Sequence, residues 1–219
     1  MQLEFEESLK IKYPGLHALL GTIDDVKITR TAKALEELKQ EIVRETKSKY
    51  TLESLKDVQI FRAYRDFFWK AGIDPTKVRP AAEALIRRIL ANKQIPTINT
   101  LVDAYNLASI KTCIALAAFD REELNGDLFM RAAKNGEEFM GIGMGKPMLL
   151  NGGEIVIQDY EKLIAVYPYR DADVSKVTEQ TRSIILMVCG CPSIDERLLL
   201  EAQQVATDFI IKHCQGKIN

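Results

Sequence analysis

The residues best suited to chemistry lie on one predicted helix near the middle of the chain. Asn99, Asp103 and Asn106 are spaced i, i+4 and i+7, so a helix places them on one face. Apolar residues occupy its other sides, which implies that the helix is largely enclosed and that its polar groups need hydrogen-bond partners. Two interpretations stay open: a buried polar network, or a pocket wall whose amides and carboxylate bind a ligand.

The remaining chemistry-bearing residues match no established catalytic or metal-binding motif. Cys189 and Cys191 are one residue apart, closer than the usual zinc spacing, so we predict no metal site. Residues 141–147 lack the spacing of a phosphate-binding loop and are predicted to form a hairpin tip. Arg170–Asp173 follows a predicted strand, where it could line a site or form a surface ion-pair network. No nucleophile elbow or dinucleotide fingerprint occurs, and no cofactor is predicted.

The charge of the chain is balanced overall but locally basic. The 219 residues include 30 Lys and Arg against 31 Asp and Glu, a net charge of −1, which does not indicate a nucleic-acid partner. Residues 77–93 nevertheless carry five cations against the single acid Glu83: Lys77, Arg79, Arg87, Arg88 and Lys93. This cluster is either a solvated helix face or a contact for a phosphate backbone.

The composition predicts a globular protein outside the membrane. Hydrophobic residues make up 47% of the chain, enough for a core. The longest uncharged apolar stretch, residues 183–192, is far shorter than the roughly 20 residues of a spanning helix. The acidic start of the chain lacks the features of a signal peptide, so we expect a soluble, cytoplasmic protein with no membrane partner.

A helix-rich first half and a strand-rich second half must position these residues. Residues 1–28 are predicted to be extended, with a strand at Leu16–Leu20. Amphipathic spacing predicts four helices, which begin near Thr29, Thr51, Pro80 and Thr97. In the third, Glu83 and Arg87 are predicted to pair on its outside. Short apolar runs predict strands over 112–118, 128–132, 155–158, 163–167 and 183–188. A capping box at Ser193–Glu196 predicts a final helix, and the whole pattern indicates the α+β class.

Several ordered motifs resemble those of a known family. They are Phe61–Arg65, Gly72–Pro80, Glu83–Arg88, Ile98–Asn106, Phe119–Asp120, Arg131–Glu137, Gly153–Val156, Asp159 and Val177–Arg182. Over residues 58–190 the chain resembles the free-standing B3/B4-domain proteins, relatives of the B3/B4 module of the phenylalanyl-tRNA synthetase β subunit. The resemblance implies a B3/B4-like fold with helices and a mixed, largely antiparallel sheet. It implies an N-terminal strand and helix (1–50) packed on a domain of residues 51–219.

The resemblance also implies a pocket, which this sequence alters. In the synthetase, the module accepts the 3′ end of misacylated tRNA and hydrolyses the ester, using a Thr-Asn pair, a His and a Glu. The Asn corresponds to Asn106, whereas the Thr corresponds to Tyr105, the His to Ala117 and the Glu to about Met187. Because a thioether supplies no hydrogen bond for a tyrosine hydroxyl, editing of tyrosine in the synthetase manner is not expected.

The resemblance therefore implies a tRNA-linked module that recognises aminoacyl-tRNA or its amino-acid end, and one form of this prediction is an aminoacyl-tRNA deacylase that edits in trans. The alternative is a non-catalytic binder of a small amino-acid-like ligand. No ligase active site is visible and no catalytic residue is assigned. The predicted ligand-binding residues are Asn99, Asp103, Tyr105, Asn106, Ser109, Glu154 and Arg170. The predicted tRNA contacts are the five cations of residues 77–93.

Overall fold

The computed structural model describes all 219 residues and has the predicted α+β class. Five of its six helices precede Cys113, which confirms the helix-rich first half. The helices are α1 (Glu7–Lys12), α2 (Lys33–Lys49), α3 (Gln59–Lys70), α4 (Ala81–Leu90), α5 (Thr100–Thr112) and α6 (Glu196–Cys214). The strands are β1 (Leu3–Phe5), β2 (Ala18–Asp24), β3 (Ala115–Asp120), β4 (Leu128–Ala132), β5 (Glu138–Phe139), β6 (Met148–Leu149), β7 (Ile155–Gln158), β8 (Leu163–Val166), β9 (Arg170–Asp171), β10 (Ile184–Cys189) and β11 (Lys217–Ile218).

The strands form two main sheets and a small hairpin. One sheet has the order β1-β4-β7-β8-β9 and is antiparallel except for the parallel pair β1 and β4. The other has the order β11-β2-β10-β3 and is antiparallel throughout. Strands β5 and β6 pair separately. The predicted mixed, largely antiparallel arrangement is therefore confirmed.

The burial of each element follows from its residues. Helices α3 and α4 place an apolar stripe against the core. Helix α5 has no such one-sided pattern, and eight of its residues are buried, so it is enclosed as its sequence predicts. Strands β3 and β10 are buried at every position, which matches their unbroken apolar runs.

Residues 1–50 share in the main hydrophobic core. Strand β2 pairs with β10, α2 packs on α4 and α5, and Leu9, Leu35 and Ile42 belong to the same buried cluster as the strands of the second half. The division of the chain into a segment of residues 1–50 and a domain of residues 51–219 stays a prediction. None of the helices combines the length and the apolar character needed to cross a membrane.

The structure corrects four local predictions. Residues 1–28 are not all extended, because α1 interrupts them. The helix predicted from Thr51 starts instead with a short 3₁₀ turn (Ser54–Asp57) before α3. Asp195, not Ser193, caps α6, because its carboxylate accepts the Arg197 backbone N–H at 2.9 Å. Glu83 is fully buried rather than on the outside of α4, although it does pair with Arg87.

Candidate functional site: a cavity beside α5

The first turn of α5 is a closed polar cluster. Asn99 is the N-cap, and its side-chain oxygen accepts the backbone N–H groups of Leu101 and Val102 at 3.1 and 2.9 Å. Asp103 accepts the Ile98 N–H at 3.0 Å and forms an ion pair with Lys39 at 3.2 Å. Both side chains are buried, so the expectation that they open into a concavity together with Asn106 is corrected.

Two other predicted ligand-binding residues also lie away from any shared pocket. Ser109 is buried and donates its hydroxyl to the Ile114 carbonyl at 2.6 Å, which ties the end of α5 to the following strand. Glu154 accepts hydrogen bonds from the backbone and amide nitrogens of Asn151 at 2.9 and 3.3 Å, while its other carboxylate oxygen is buried without a partner. Neither residue lines the cavity to which Asn106 belongs.

The other three predicted residues, Tyr105, Asn106 and Arg170, meet at one cavity. It lies between the second turn of α5, strands β3 and β10 of one sheet, and strands β7 to β9 of the other. Its volume is about 180 Å³. Twelve of its sixteen lining residues are hydrophobic, and the lining is Ala81, Tyr105, Asn106, Leu116, Ala117, Phe119, Ile157, Ala165, Val166, Tyr167, Pro168, Tyr169, Arg170, Asp171, Met187 and Cys189.

The two positions at which the resemblance implies a His and a Glu lie side by side on one wall of this cavity. In the antiparallel register of β3 and β10, Met187 lies directly opposite Ala117, and both line the cavity. Side chains opposite one another in such a pair are about 5 Å apart at Cβ. A methyl group and a thioether therefore occupy the wall where polar groups were implied, so this wall offers no general base and no strong acceptor.

Asp171 is the group that sequence reasoning missed. It belongs to the Arg170–Asp173 segment noted above, but only Arg170 was assigned to the site. Burial raises the pKa of the Asp171 carboxyl to about 7, and no hydrogen bond or cation opposes that shift. One sequence signal could have indicated Asp171. It directly follows Arg170 on an edge strand, and neighbouring residues of a strand point to opposite faces.

The thiols and phenols of the cavity are poor proton donors and nucleophiles. Burial, and then the Asp171 charge, raise the pKa of both the Tyr105 hydroxyl and the Cys189 thiol. The Tyr167 hydroxyl donates to the Gly190 carbonyl. All four cysteines are buried and unpaired with one another. Since the thiolate is the reactive form, these thiols are inert at neutral pH. No three His, Cys, Asp or Glu side chains gather into a group that could hold a metal ion.

The basic residues 77–93 divide into exposed and structural cations. Lys77, Arg79, Arg88 and Lys93 are exposed, and Arg88 donates to the Gln94 carbonyl at 3.0 Å. Arg87 instead binds the buried Glu83 at 2.6 Å, together with Arg65. Burial acts to raise the pKa of Glu83, but the two guanidinium groups outweigh it and hold that pKa below its ordinary value.

A second concavity borders this basic segment. It is a wide surface groove of about 620 Å³ between α2 and the end of α4. Its lining includes four cations (Lys39, Arg44, Lys47 and Lys93) and one acid, Glu36. Lys47 donates to the Asn92 side chain at 2.8 Å, and Lys39 is committed to Asp103. Sequence reasoning missed Arg44 and Lys47 because they lie on α2, well before the basic segment in the chain.

Comparison with known proteins agrees with the predicted resemblance. Residues 63–215 match the B3/4 domain. The phenylalanine–tRNA ligase β subunit of Fusobacterium nucleatum subsp. nucleatum is 33% identical over 116 residues, which cover 53% of this chain and 14% of that protein. The β subunit from Yersinia pestis is 29% identical over 109 residues, covering 50% of this chain and 14% of its own length. The matched stretch is thus a small part of these relatives.

A solved structure shows the same fold. The crystal structure of an N-terminal fragment of the phenylalanyl-tRNA synthetase β-subunit from Pyrococcus horikoshii superposes with a TM-score of 0.52. The superposition covers 99% of this chain and 50% of that one, at 13% sequence identity. At this identity the likeness concerns the fold alone, whereas the family match over residues 63–215 confirms the predicted resemblance itself.

Proposed function

The chain belongs to the B3/4 domain family, and from that premise we propose that it is a tRNA-linked module whose cavity receives the amino-acid end of an aminoacyl-tRNA. The observation that carries this proposal is the cavity itself, because Tyr105, Asn106, Ala117 and Met187 all line it. These are the positions to which the resemblance assigns the pocket. A cytoplasmic location, where the four free thiols stay reduced, is part of the proposal.

The size and lining of the cavity support a small guest. Its volume of about 180 Å³ is below the roughly 300–1,000 Å³ of pockets that enclose drug-sized ligands. It therefore suits one amino-acid side chain with its α-carbon substituents, while a nucleotide has to remain outside. The largely apolar walls favour an apolar side chain.

The catalytic form of the proposal is hydrolysis of the ester in trans. Water attacks the ester carbonyl, the bond to the ribose oxygen breaks, and the amino acid and the tRNA leave separately. Asn106 is the cavity amide that can orient such a water. Asp103, considered for this role from the sequence, is occupied by Lys39 and by the Ile98 N–H.

The second candidate function is non-catalytic binding of a small amino-acid-like ligand. The apolar pair Ala117 and Met187 favours it, because this wall supplies neither a base for water nor an oxyanion donor. A net charge of −1 also favours it over a strong nucleic-acid contact. The two candidates share the cavity and differ in whether the tRNA body and the ester bond take part.

The tRNA body is proposed to lie along the exposed cations. The predicted contacts Lys77, Arg79, Arg88 and Lys93 are free of buried partners, and the groove extends this surface to Arg44 and Lys47 on α2. Arg87, which was also predicted as a contact, holds the buried Glu83 and can offer at most its outer N–H groups. So few cations support a modest, salt-sensitive affinity.

Two assays on the whole protein separate the candidates. A panel of aminoacyl-tRNAs is incubated with the protein, and the remaining ester is measured; loss of one amino acid at a rate proportional to protein concentration supports deacylation. Binding of charged and uncharged tRNA is measured over a range of salt concentrations. If every ester survives and no tRNA binds at low salt, the tRNA-linked proposal is wrong and the amino-acid-binding candidate remains.

A charge variant tests the proposed surface. Lys77, Arg79, Arg88 and Lys93 are changed together to Gln, and Arg87 is left intact so that the core around Glu83 is preserved. We expect a weaker complex at low salt and a smaller dependence of log Kd on log salt, by about one for each lost phosphate contact. The matched control changes four other exposed cations to Gln: Lys10, Lys12, Lys212 and Lys217. An equal effect of both variants would indicate non-specific attraction.

A further inference from the structure

The carboxyl group of Asp171 faces the interior of the cavity. Strand β9 pairs with β8, and the backbone carbonyl of Asp171 accepts the Ile142 N–H at 2.9 Å, so this edge of the sheet is held in place. Successive side chains of a strand point to opposite faces. Arg170, which also lines the cavity, packs its side chain over Gly141 and donates to the Ile142 carbonyl at 3.3 Å. The Asp171 charge acts on Tyr105 and Cys189, which places it beside these two cavity groups.

Asp171 is half-buried in the cavity wall and, unlike the fully buried acids of this protein, has no hydrogen-bond or ion-pair partner within the protein. Glu83 binds two arginines, Asp103 binds Lys39, Asp120 accepts from Thr181 and from the Glu122 N–H, and Asp159 accepts three backbone N–H groups and Lys162. Buried polar groups in native proteins are almost always hydrogen-bonded. For Asp171 burial is the sole influence, and it raises the pKa to about 7. Because no protein donor contacts the Asp171 carboxyl and it lines the cavity, it is free to bind a donor carried by a guest.

The groups around Asp171 narrow the chemistry of that partner. Tyr105 faces it from α5, Cys189 from β10, and Tyr167 and Tyr169 from the segment after β8. None of these carries a positive charge, and the one cation of the lining, Arg170, donates to the Ile142 carbonyl and acts on Tyr169 rather than on Asp171. The cavity therefore contains a carboxyl group that can ionise, Asp171, but no cation that pairs with it. A cationic hydrogen-bond donor supplies both the missing hydrogen bond and the missing positive charge.

We propose that Asp171 binds a protonated primary amine, so that the cavity selects guests in which an ammonium group adjoins a small apolar side chain. This inference rests on the proposed function, because the α-ammonium group of an aminoacyl ester and that of a free amino acid share this chemistry. The inference identifies Asp171 as the residue that binds the amine, and it predicts that N-acylated guests are rejected. Because a bound ammonium group favours the ionised form of the Asp171 carboxyl, binding releases a proton from Asp171 near neutral pH.

The test uses amino-acid amides, which carry the ammonium group but no hydrolysable ester. Alaninamide, leucinamide and phenylalaninamide are titrated into the protein by calorimetry, each beside its N-acetyl derivative. We expect the best amide to bind at least tenfold more tightly than its N-acetyl form, and its affinity to rise at least fivefold from pH 5.5 to pH 7.4, where the amine is still largely protonated. Equal affinity for both forms, or no binding of any amide, overturns the proposal.

Variants show whether Asp171 is the responsible group. Asp171→Asn is expected to abolish the preference for the free amine and its pH dependence while the protein stays folded. Asp173→Asn is the matched control, because Asp173 is near in sequence but pairs with Lys176 outside the cavity lining. Retained amine preference in Asp171→Asn overturns the proposal.

A second arm separates this inference from the proposed function. Aminoacyl-tRNA and N-acetyl-aminoacyl-tRNA are compared with the wild-type protein. If the amides bind through Asp171 but no tRNA does, the ammonium site holds and the tRNA-linked function fails. If both charged tRNAs bind equally, the tRNA-linked function holds and the ammonium site fails.

Discussion

Helix α5 carries polar side chains in two regions that differ in how they are satisfied. At its first turn, Asn99 and Asp103 are buried, and each accepts hydrogen bonds from identified donors. At its second turn, Tyr105 and Asn106 face a cavity of about 180 Å³, which they share with the unpartnered carboxyl of Asp171. The comparison teaches that burial of a polar residue does not identify a binding site. The absence of a protein partner beside an open cavity is the more informative sign.

The largest expected effect concerns the closed region. Asp103→Leu removes the acceptor for Lys39 and for the Ile98 N–H, and we expect the free energy of unfolding to fall by about 3 kcal/mol. Urea denaturation checks this value. The double variant Lys39→Met/Asp103→Leu should be less destabilised than Asp103→Leu, since no unpaired ammonium group is left. The folded variants should bind the amino-acid amides with unchanged affinity. A selective loss of this affinity would indicate that the two regions form one site.

The next effect is a gain in the free energy of unfolding, and it concerns Asp171 in the open region. An acid whose pKa is higher in the folded state than the usual value of about 4 stabilises the fold below pH 4, and this contribution is lost as pH rises through about 7. Asp171→Asn should therefore be more stable than the wild type at pH 8, and the difference should vanish below pH 4. The full shift corresponds to roughly 4 kcal/mol; because the carboxyl is partly accessible through the cavity, we expect about 2 kcal/mol. Urea titrations at several pH values measure it, and equal stability at pH 8 would show that the carboxyl is well solvated.

A smaller effect is expected at the helix cap. Asn99→Ala should lower the free energy of unfolding by about 1 kcal/mol, since two backbone N–H groups lose their acceptor. Asn99→Asp keeps an acceptor oxygen and is the control, with most of the stability retained. Thermal denaturation of the two variants side by side measures the difference. A change in amide binding by Asn99→Ala beyond the loss of folded protein would contradict the purely structural role.

The smallest effect on stability is expected at Tyr105. Its hydroxyl has no hydrogen bond to the protein, so Tyr105→Phe should change the free energy of unfolding by less than about 0.5 kcal/mol. Because the hydroxyl faces the cavity, the same variant should change the affinity for the amides. Denaturation and calorimetry on one preparation give both values. A large loss of stability without a change in binding would indicate that Tyr105 has a structural role, as Asn99 and Asp103 do.

The elements that short-range patterns specify were predicted well. The strand predictions for β4 and β7 match the structure residue by residue, and α4 begins one residue after the predicted Pro80. These elements depend on side-chain periodicity and on turn residues, which are local properties. The errors concern the missed helix α1, the start of α3, the cap of α6 and the burial of Glu83, and the last of these depends on Arg65, which lies outside the segment. A cap is chosen by backbone geometry, as the positive φ of Ser193 illustrates.

The spacing of Asn99, Asp103 and Asn106 by itself determined that polar groups lie on an enclosed helix, but it left two interpretations open. Tertiary structure decided between them residue by residue. Lys39, from a helix well earlier in the chain, reaches Asp103 and closes one region, whereas Asp171 arrives on β9 beside Tyr105 without a counter-charge. A helical period specifies which face a side chain occupies. Its partners come from distant segments, and only the packing of those segments determines whether a polar group is satisfied or left for a guest.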